Sequence, residues 1–304
     1  MDKPLVSVLM TSYNRETYIA DAIDSVLAST YTNFELIICD DGSTDNTVAI
    51  ARSYAEKDNR IRIYINEKNL GDYPNRNQAA SHARGKYLKY QDSDDIIYPH
   101  GLQVMVEAME RFPEVSYAFC ANEVQDFSKP YPIIYNSSEA YRAHFFEPLG
   151  LFYSGPVGTI IRRSVFEQAG RFSKKRYIGD TEMWMKLALT TPVLKLQPSL
   201  TWWRLHEGQE YSRGEFQYAF LRYELYREML QNPSCPLTQN EIKIALGNIR
   251  RLMGRKILSL YFLKMDFSSA VELSRKTGIG PLSLIESLFP VNRLRKIYKR
   301  MAGA

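Results

Sequence analysis

The sequence predicts an α/β fold, a mostly parallel sheet flanked by helices, with a helical C-terminal extension. Three observations carry that prediction. Short apolar runs alternate with segments of helical period through the first hundred residues. Polar clusters close three of those runs, at Thr11–Arg15, Asp40–Ser43 and Asp92–Asp95. From about residue 216 the pattern turns to long amphipathic stretches, and the charge turns basic.

Leu5–Met10 is a short apolar run ending in a polar turn, as a strand buried on both faces requires. Ile19, Ile23, Val26 and Leu27 recur at helical spacing. Phe34–Cys39 reads as a second strand, and Thr44–Thr47 offers capping side chains for a helix through Ala55. Ile61–Ile65 is a third strand, Asn75–Ala83 a helix, and Tyr87–Tyr90 a fourth strand. Strands alternating with helices imply parallel pairing, and such sheets bind ligands at the carboxyl ends of their strands. All three polar clusters sit at those ends. Between 115 and 205 the pattern is less regular, with strands at Ser116–Ala121 and Thr159–Arg162 and a helix over Asp180–Leu189. The helical tail breaks near Asn232-Pro233 and Gly278–Pro281 and ends in a basic run, Arg293–Arg300. This reading divides the chain into domains of residues 1–212 and 213–304.

Apolar residues make up 45% and charged residues 24%, which excludes a disordered tail, a collagen-like repeat and a coiled-coil rod. Residues 1–212 carry 23 basic and 27 acidic side chains, whereas residues 213–304 carry 16 and 7. The basic third would face something anionic. The acidic balance of the rest, and the lack of an RNA or DNA motif, exclude nucleic acid as partner. Cys39, Cys120 and Cys235 form neither a disulfide framework nor a zinc ligand set, so a reducing cytosol is expected. The start does not read as a signal peptide, and nowhere do eighteen consecutive apolar residues occur. No G-x-x-x-x-G-K-[ST], G-x-G-x-x-G, H-E-x-x-H or G-x-S-x-G occurs. P-loop NTPases, dinucleotide-dependent oxidoreductases, zincins and α/β-hydrolases therefore lack their fingerprints.

Six places could carry chemistry. Asp92-Ser93-Asp94-Asp95 gathers three carboxylates that repel one another, and oxygen ligands of this kind suit Mg2+ or Mn2+ shared with phosphates. The alternative is a solvated turn capping the next helix. Asp40, at a strand end, would accept a hydrogen bond from a base N–H such as uracil N3, or else belong to a capping turn. Arg76 and Arg15 suit a carbonyl or phosphate, or a solvated surface. Asp180 opens an amphipathic helix, either as an N-cap or as a general base at a rigid position. His206 would complete an oxygen-rich metal site or serve structurally.

In order, Val6–Arg15, Ser25-Val-Leu with Thr30-Tyr31, Phe34–Asp45, Asn75-Arg-Asn77 and Tyr90–Asp95 resemble the family 2 glycosyltransferases of GT-A fold, a Rossmann-like sheet. Gly179-Asp180 followed by Glu-Met-Trp-Met-Lys-Leu-Ala188 is similar to the family's ED-centred helix, and Trp203-Arg-Leu-His206 to its aromatic-Arg-x-His segment. The resemblance is specific to about residue 95, looser to about 210, and not specific past 215. It implies that Thr11, Ser12, Tyr13 and Asn14, with Arg15, line the nucleotide. It further implies that Asp40 reads the uracil with Arg76 assisting, and that Asp92 and Ser93 reach the ribose or metal side of the donor. Asp94 would hold Mn2+ or Mg2+ on the diphosphate through this DXD motif, with His206 as a further contact. Asp180 would be the catalytic base. Gly179 departs from the family, which usually has Glu there, and leaves the anchoring of the acceptor site open.

The expected activity is a metal-dependent, inverting hexosyl transfer from a nucleotide-sugar, UDP-linked, to a hydroxyl of a glycan or lipid-linked acceptor in surface polysaccharide synthesis. The alternative is a non-catalytic sugar-nucleotide-binding or assembly subunit. Expected partners are the donor and the acceptor. The C-terminal region, with Ile257–Leu263 and Leu282–Phe289 ahead of the basic run, would meet the inner face of the cell membrane or pair in a homo-oligomer.

Overall fold

The computed structural model describes residues 3–121, 129–148, 150–206 and 215–289. The first half runs β1 (Val6–Ser12), α1 (Ile19–Leu27), β2 (Phe34–Asp40), α2 (Thr47–Ala55), β3 (Ile61–Ile65), α3 (Asp72–Ser81) and β4 (Tyr87–Asp92). Next come β5 (Ile96–Ile97), α4 (Gly101–Arg111), β6 (Tyr117–Cys120), β7 (Ile133–Tyr135) and α5 (Ser137–Phe146). Then follow β8 (Thr159–Arg162), α6 (Arg163–Gln168), α7 (Gly179–Ala188), β9 (Val193–Leu196) and β10 (Thr201–Trp202). The chain closes with α8 (Glu215–Gln231), α9 (Gln239–Phe262), α10 (Phe267–Thr277) and α11 (Pro281–Ser287).

Among the described residues, eight strands form one sheet in the order β3-β2-β1-β4-β8-β6-β9-β7. β1 to β4 are mutually parallel where they pair, while β8 runs antiparallel to both β4 and β6. The expected mostly parallel sheet flanked by helices is present. Its first strands are buried almost throughout because helices cover both faces. Val8, Met10, Leu36 and Ile38 share a core with Ile23 and Val26 of α1 and Met105 of α4.

Glu35 is a charge inside this apolar strand, and its partners explain it. Ser7 lies opposite it in register and donates at 2.6 Å, Arg84 N–H donates at 2.8 Å, and Arg62 pairs with it at 2.6 Å. Burial pushes the Glu35 carboxyl up, but these donors outweigh it and hold the group below its ordinary range.

The chain divides into two compact units, Met1–Ala140 with Phe152–Glu207 and Tyr141–Leu151 with Gly208–Ala304. The break anticipated at 212 lies outside the described residues. Tyr141–Leu151, which the sequence placed in the first domain, goes with the second unit. Arg142 pairs with Glu241 at 2.7 Å, and His144 meets the Tyr226 ring edge-on.

In the second unit α9 starts at a capping box between Thr238 and Glu241. α10 starts where Asp266 caps Ser269 N–H at 3.0 Å, a break with no proline or glycine to announce it. α11 lies so close to α9 that a Cβ on Gly254 would stand 2.0 Å from Ser287 Oγ. Phe262, Leu263, Met265, Leu282, Leu288 and Phe289 are exposed. The basic run Arg293–Arg300 lies outside the described residues. Among those described, no helix is long and apolar enough to cross a membrane.

Candidate active site

The parallel register sets three strand ends side by side. Ser12 stands opposite Asp40, and Thr11 lies between Cys39 and Asp92. The polar clusters at Thr11–Arg15, Asp40–Ser43 and Asp92–Asp95 therefore line one edge of the sheet.

The first two loops are stitched together. Asn14 takes a left-handed backbone (φ 52°), its N–H donates to Ser43 Oγ at 2.8 Å, and its side chain accepts Thr44 N–H at 2.8 Å. Arg15 N–H donates to Thr47 Oγ1 at 2.7 Å. Tyr13 is left pointing outward, about half exposed.

Asp40 is fully buried, and both its oxygens are engaged. Oδ1 accepts from Gly42 N–H at 3.1 Å and Ser43 N–H at 2.7 Å; Oδ2 accepts from Ser12 Oγ at 2.8 Å and Ser43 Oγ at 2.6 Å. These four donors fill the acceptor sites of a carboxylate. A base N–H would reach Asp40 only after one hydroxyl turned away. Its neighbour Asp41 accepts Leu70 N–H at 2.8 Å and Gly71 N–H at 2.9 Å, so it fixes the loop that leads into α3. Gly71 holds φ 89°, a left-handed conformation that suits glycine, and α3 starts immediately after it at Asp72.

Arg76 is buried between two acids. Its Nε donates to Asp72 Oδ1 at 2.7 Å and its Nη1 lies 2.7 Å from Asp92 Oδ1, so the guanidinium belongs to the site edge and not to the helix surface. The acid turn itself is held by the chain's own cations. Arg15 Nε and His206 Nε2 meet on one oxygen, Asp94 Oδ2, at 2.9 and 3.0 Å. Asp95 is buried, and burial first, with the Asp92 charge next, pushes its carboxyl up to about 8. Ser93 is buried within the turn.

His206 reaches Asp94 through a short ladder. β10 pairs antiparallel with β5, Arg204 N–H donates to Asp95 Oδ1 at 2.9 Å, and Arg204 Nε donates to Asp94 O at 2.9 Å. The Tyr18 ring lies 4.6 Å from the His206 imidazole.

The same turn has capacity for a divalent ion. Among the described residues, Asp92 Oδ2 and Asp94 Oδ1 take no hydrogen bond. Among the described residues, no three His, Cys, Asp or Glu side chains converge there as a ready cage. Mg2+ and Mn2+ on phosphates need only one or two carboxylates, because the substrate and waters complete the shell. The donor set fits such an ion.

Asp180 sits in the first turn of α7. The hydrogen bonds to its carboxylate fall on one oxygen: Tyr73 Oη donates to Oδ1 at 3.2 Å, Thr181 N–H at 2.6 Å and Thr181 Oγ1 at 3.4 Å, while Asp180 N–H donates back to Tyr73 Oη at 3.1 Å. Among the described residues Oδ2 takes no hydrogen bond. Burial, against the Thr181 N–H, pushes the carboxyl up to about 6. A carboxylate with one oxygen anchored, the other available and an affinity for protons near neutrality is suited to general base work.

Thr11, Ser12, Tyr13, Arg15, Asp40, Arg76, Asp92, Ser93, Asp94, Asp180 and His206 are the candidate residues that the sequence singles out. It misses Asp41, Asp72, Tyr73 and Arg204 as members of the edge. The acidic pair at 40–41 was a signal for Asp41; an aromatic in the first turn of a helix gave none for Tyr73.

Residues 7–170, a little over half of the chain, match the sequence profile of Glycosyl transferase family 2. A relative from Escherichia coli, the UDP-Glc:alpha-D-GlcNAc-diphosphoundecaprenol beta-1,3-glucosyltransferase WfgD, is 38% identical over 142 residues, which are 45% of this chain and 55% of WfgD. The first curated relatives at 37–42% identity are spanned over 39–55% of their length. The crystal structure of S. aureus TarS 1-349 in complex with UDP superposes with a TM-score of 0.64 at 19% identity, covering 93% of this chain and 80% of TarS. The mannosyltransferase PcManGT from Pyrobaculum calidifontis, in complex with GDP-Man and Mn2+, gives 0.61 at 16% identity, covering 100% of this chain and 82% of PcManGT. These likenesses establish the fold as GT-A.

Proposed function

Because the chain belongs to Glycosyl transferase family 2, we propose that it moves a hexosyl group from a UDP-sugar to a hydroxyl of a glycan or lipid-linked acceptor in surface polysaccharide synthesis, inverting the anomeric centre. The observation that carries this reading is the asymmetric carboxylate of Asp180, anchored at Oδ1 and available at Oδ2, on a helix start tied to the strand-end acids through α3.

In a single displacement the acceptor oxygen bonds to the anomeric carbon as the bond from that carbon to the diphosphate oxygen breaks. The acceptor proton passes to Asp180 Oδ2, and the electron pair leaves on the nucleoside diphosphate. Asp94, with Asp92 and His206 beside it, would hold Mn2+ or Mg2+; when bound, the ion offsets charge growing on the leaving oxygen. Arg76 places a permanent charge at the same edge. Tyr13, exposed at the β1 tip, offers a face on which a base stacks.

Asp180→Asn tests the reading. Turnover, followed as UDP released from a UDP-sugar with manganese present, falls at least about a hundredfold, in the range of a lost general base, while UDP-sugar binding by calorimetry survives. Near-normal turnover removes Asp180 as the base.

We propose further that the second unit lies on an anionic membrane leaflet facing the cytoplasm, near a lipid-linked acceptor. Phe262 and Leu263 are exposed at the end of α9, which also carries Arg250, Arg251, Arg255 and Lys256, and Leu288 and Phe289 are exposed just past α11. Flotation of the wild type with phosphatidylglycerol vesicles, lost on Phe262→Ser with Leu263→Ser, is the expected result. No flotation at low salt overturns it, and concentration-dependent mass points to a second copy of the chain instead.

A further inference from the structure

The departure at Gly179 has a physical counterpart across the site. A Cβ at this position would stand 2.8–2.9 Å from three ring carbons of Tyr73, inside any tolerable contact. The ring occupies the space where a side chain at 179 would begin. Tyr73 is itself buried, and its ring packs 5.2 Å from Phe172. Phe172 is clamped to α3 from both sides of its backbone: Asn77 Nδ2 donates to Phe172 O at 2.8 Å, and Phe172 N–H donates to Asn77 Oδ1 at 3.1 Å.

The hydroxyl has little choice of direction. It accepts Asp180 N–H at 3.1 Å, so its own proton turns to Asp180 Oδ1 at 3.2 Å. Oδ1 is thereby committed, and the available lone pairs of the carboxylate are those of Oδ2.

We infer that Tyr73 is a positioning residue for the base: its hydroxyl fixes the Asp180 carboxylate, and its ring, admitted by Gly179, supplies the anchoring that a side chain at 179 cannot. This rests on Asp180 acting as the base. Among the described residues, Asp72 and Arg76, both from α3, act on Asp180 through their charge. Asp72 raises the proton affinity of Asp180 and Arg76 lowers it, and neither is replaced in the variants below.

Tyr73→Phe keeps the ring and deletes the hydroxyl. The expected result is a fall in kcat of about tenfold, the worth of one hydrogen bond to a charged group. Donor KM stays within about twofold, since Tyr73 is assigned no donor contact. The acid limb of the kcat–pH profile moves to higher pH, because the ionised carboxylate has lost a donor. A merely structural role leaves that limb in place.

Gly179→Ala displaces the ring and lowers kcat on its own. In the Tyr73→Ala background the same change meets no ring and costs almost nothing more, so the two losses are not additive. An unmoved acid limb in Tyr73→Phe, or additive losses in the cycle, overturns the inference. Should Tyr73→Ala fail to fold, Tyr73→Phe alone decides. Asp180→Asn separates the two levels. Near-normal turnover there removes the base assignment and this inference with it; an inactive Asp180→Asn beside a wild-type-like Tyr73→Phe removes this inference alone.

Discussion

The backbone N–H of Arg204 donates to Asp95 Oδ1 at 2.9 Å, across 109 residues of sequence. This bond, together with the Arg204 Nε bond to Asp94 O and the β5–β10 ladder, ties the segment that carries His206 to the acid turn that carries Asp94. Asp95 is therefore a structural acid within a cluster whose other members face the site edge. Asp95→Ala leaves the Arg204 N–H without its acceptor and loosens the His206 segment, which keeps its bonds to Asp94. Affinity for UDP with manganese, measured by calorimetry, falls about tenfold, the equivalent of one such lost bond. Wild-type affinity would show that the tether does not matter for the donor.

Asp40 answers four donors from Ser12, Gly42 and Ser43. Asp40→Asn turns an amide NH2 toward them and leaves at least one donor unpaired. The expected loss of stability is about 2 kcal/mol, within the range for an unsatisfied buried group. Ser43→Ala removes one hydroxyl and costs about 1 kcal/mol. Urea denaturation of both variants checks the order; equal, negligible losses would mean that the turn is not held through Asp40.

The Asp180 carboxyl is pushed up to about 6 by burial. A general base works only when ionised, so kcat falls as pH drops through about 6 and levels off above it. Stability follows the opposite sign. A carboxyl whose folded-state affinity for protons is raised favours the folded protein at low pH, and that contribution is lost as pH rises through about 6. Asp180→Asn should thus melt at a higher temperature than the wild type at pH 8. A lower melting temperature there would contradict the direction of the shift.

Glu35 behaves in the reverse sense. Burial opposes its charge, yet Ser7, Arg84 and Arg62 hold the carboxyl below its ordinary range. Its contribution is present above the unfolded value of about 4 and disappears as pH falls through the lower folded value. The difference in melting temperature between wild type and Glu35→Gln narrows from pH 7 to pH 3. A difference that stays constant with pH would mean that the charge does not contribute.

Much of this was legible in the residues because local chemistry dictated it. β3 and β8 lie where Ile61–Ile65 and Thr159–Arg162 read, since apolar and β-branched runs bounded by turn residues have few other solutions. α3 was expected at Asn75 but starts at Asp72, because the tether from Gly71 to Asp41 sets its first turn and no local signal encodes it. β9, Val193–Leu196, is too short to show a period, and it exists because β6 and β7 pair with it on either side. The α9–α10 break depends on the Asp266 cap, which resembles any surface aspartate.

The site divides in the same way. Asp94, Asp180 and His206 were visible by type and position. That Arg15 and His206 share one oxygen of Asp94 was not, because those residues lie 79 and 112 positions from it and only the folded backbone joins them. Arg76 illustrates the same point: on sequence it suits a carbonyl or phosphate and a solvated helix surface equally well, and only the acids on either side show that it is buried.

The fit of the Tyr73 ring over Gly179 makes the two positions interdependent as heritable characters. A relative that carries a larger side chain at the place of Gly179 has to carry a slimmer residue at the place of Tyr73. Across the lineage, then, exchanges at these sites should arrive in pairs, and a bulky residue at both would mark a chain whose helix start is built differently.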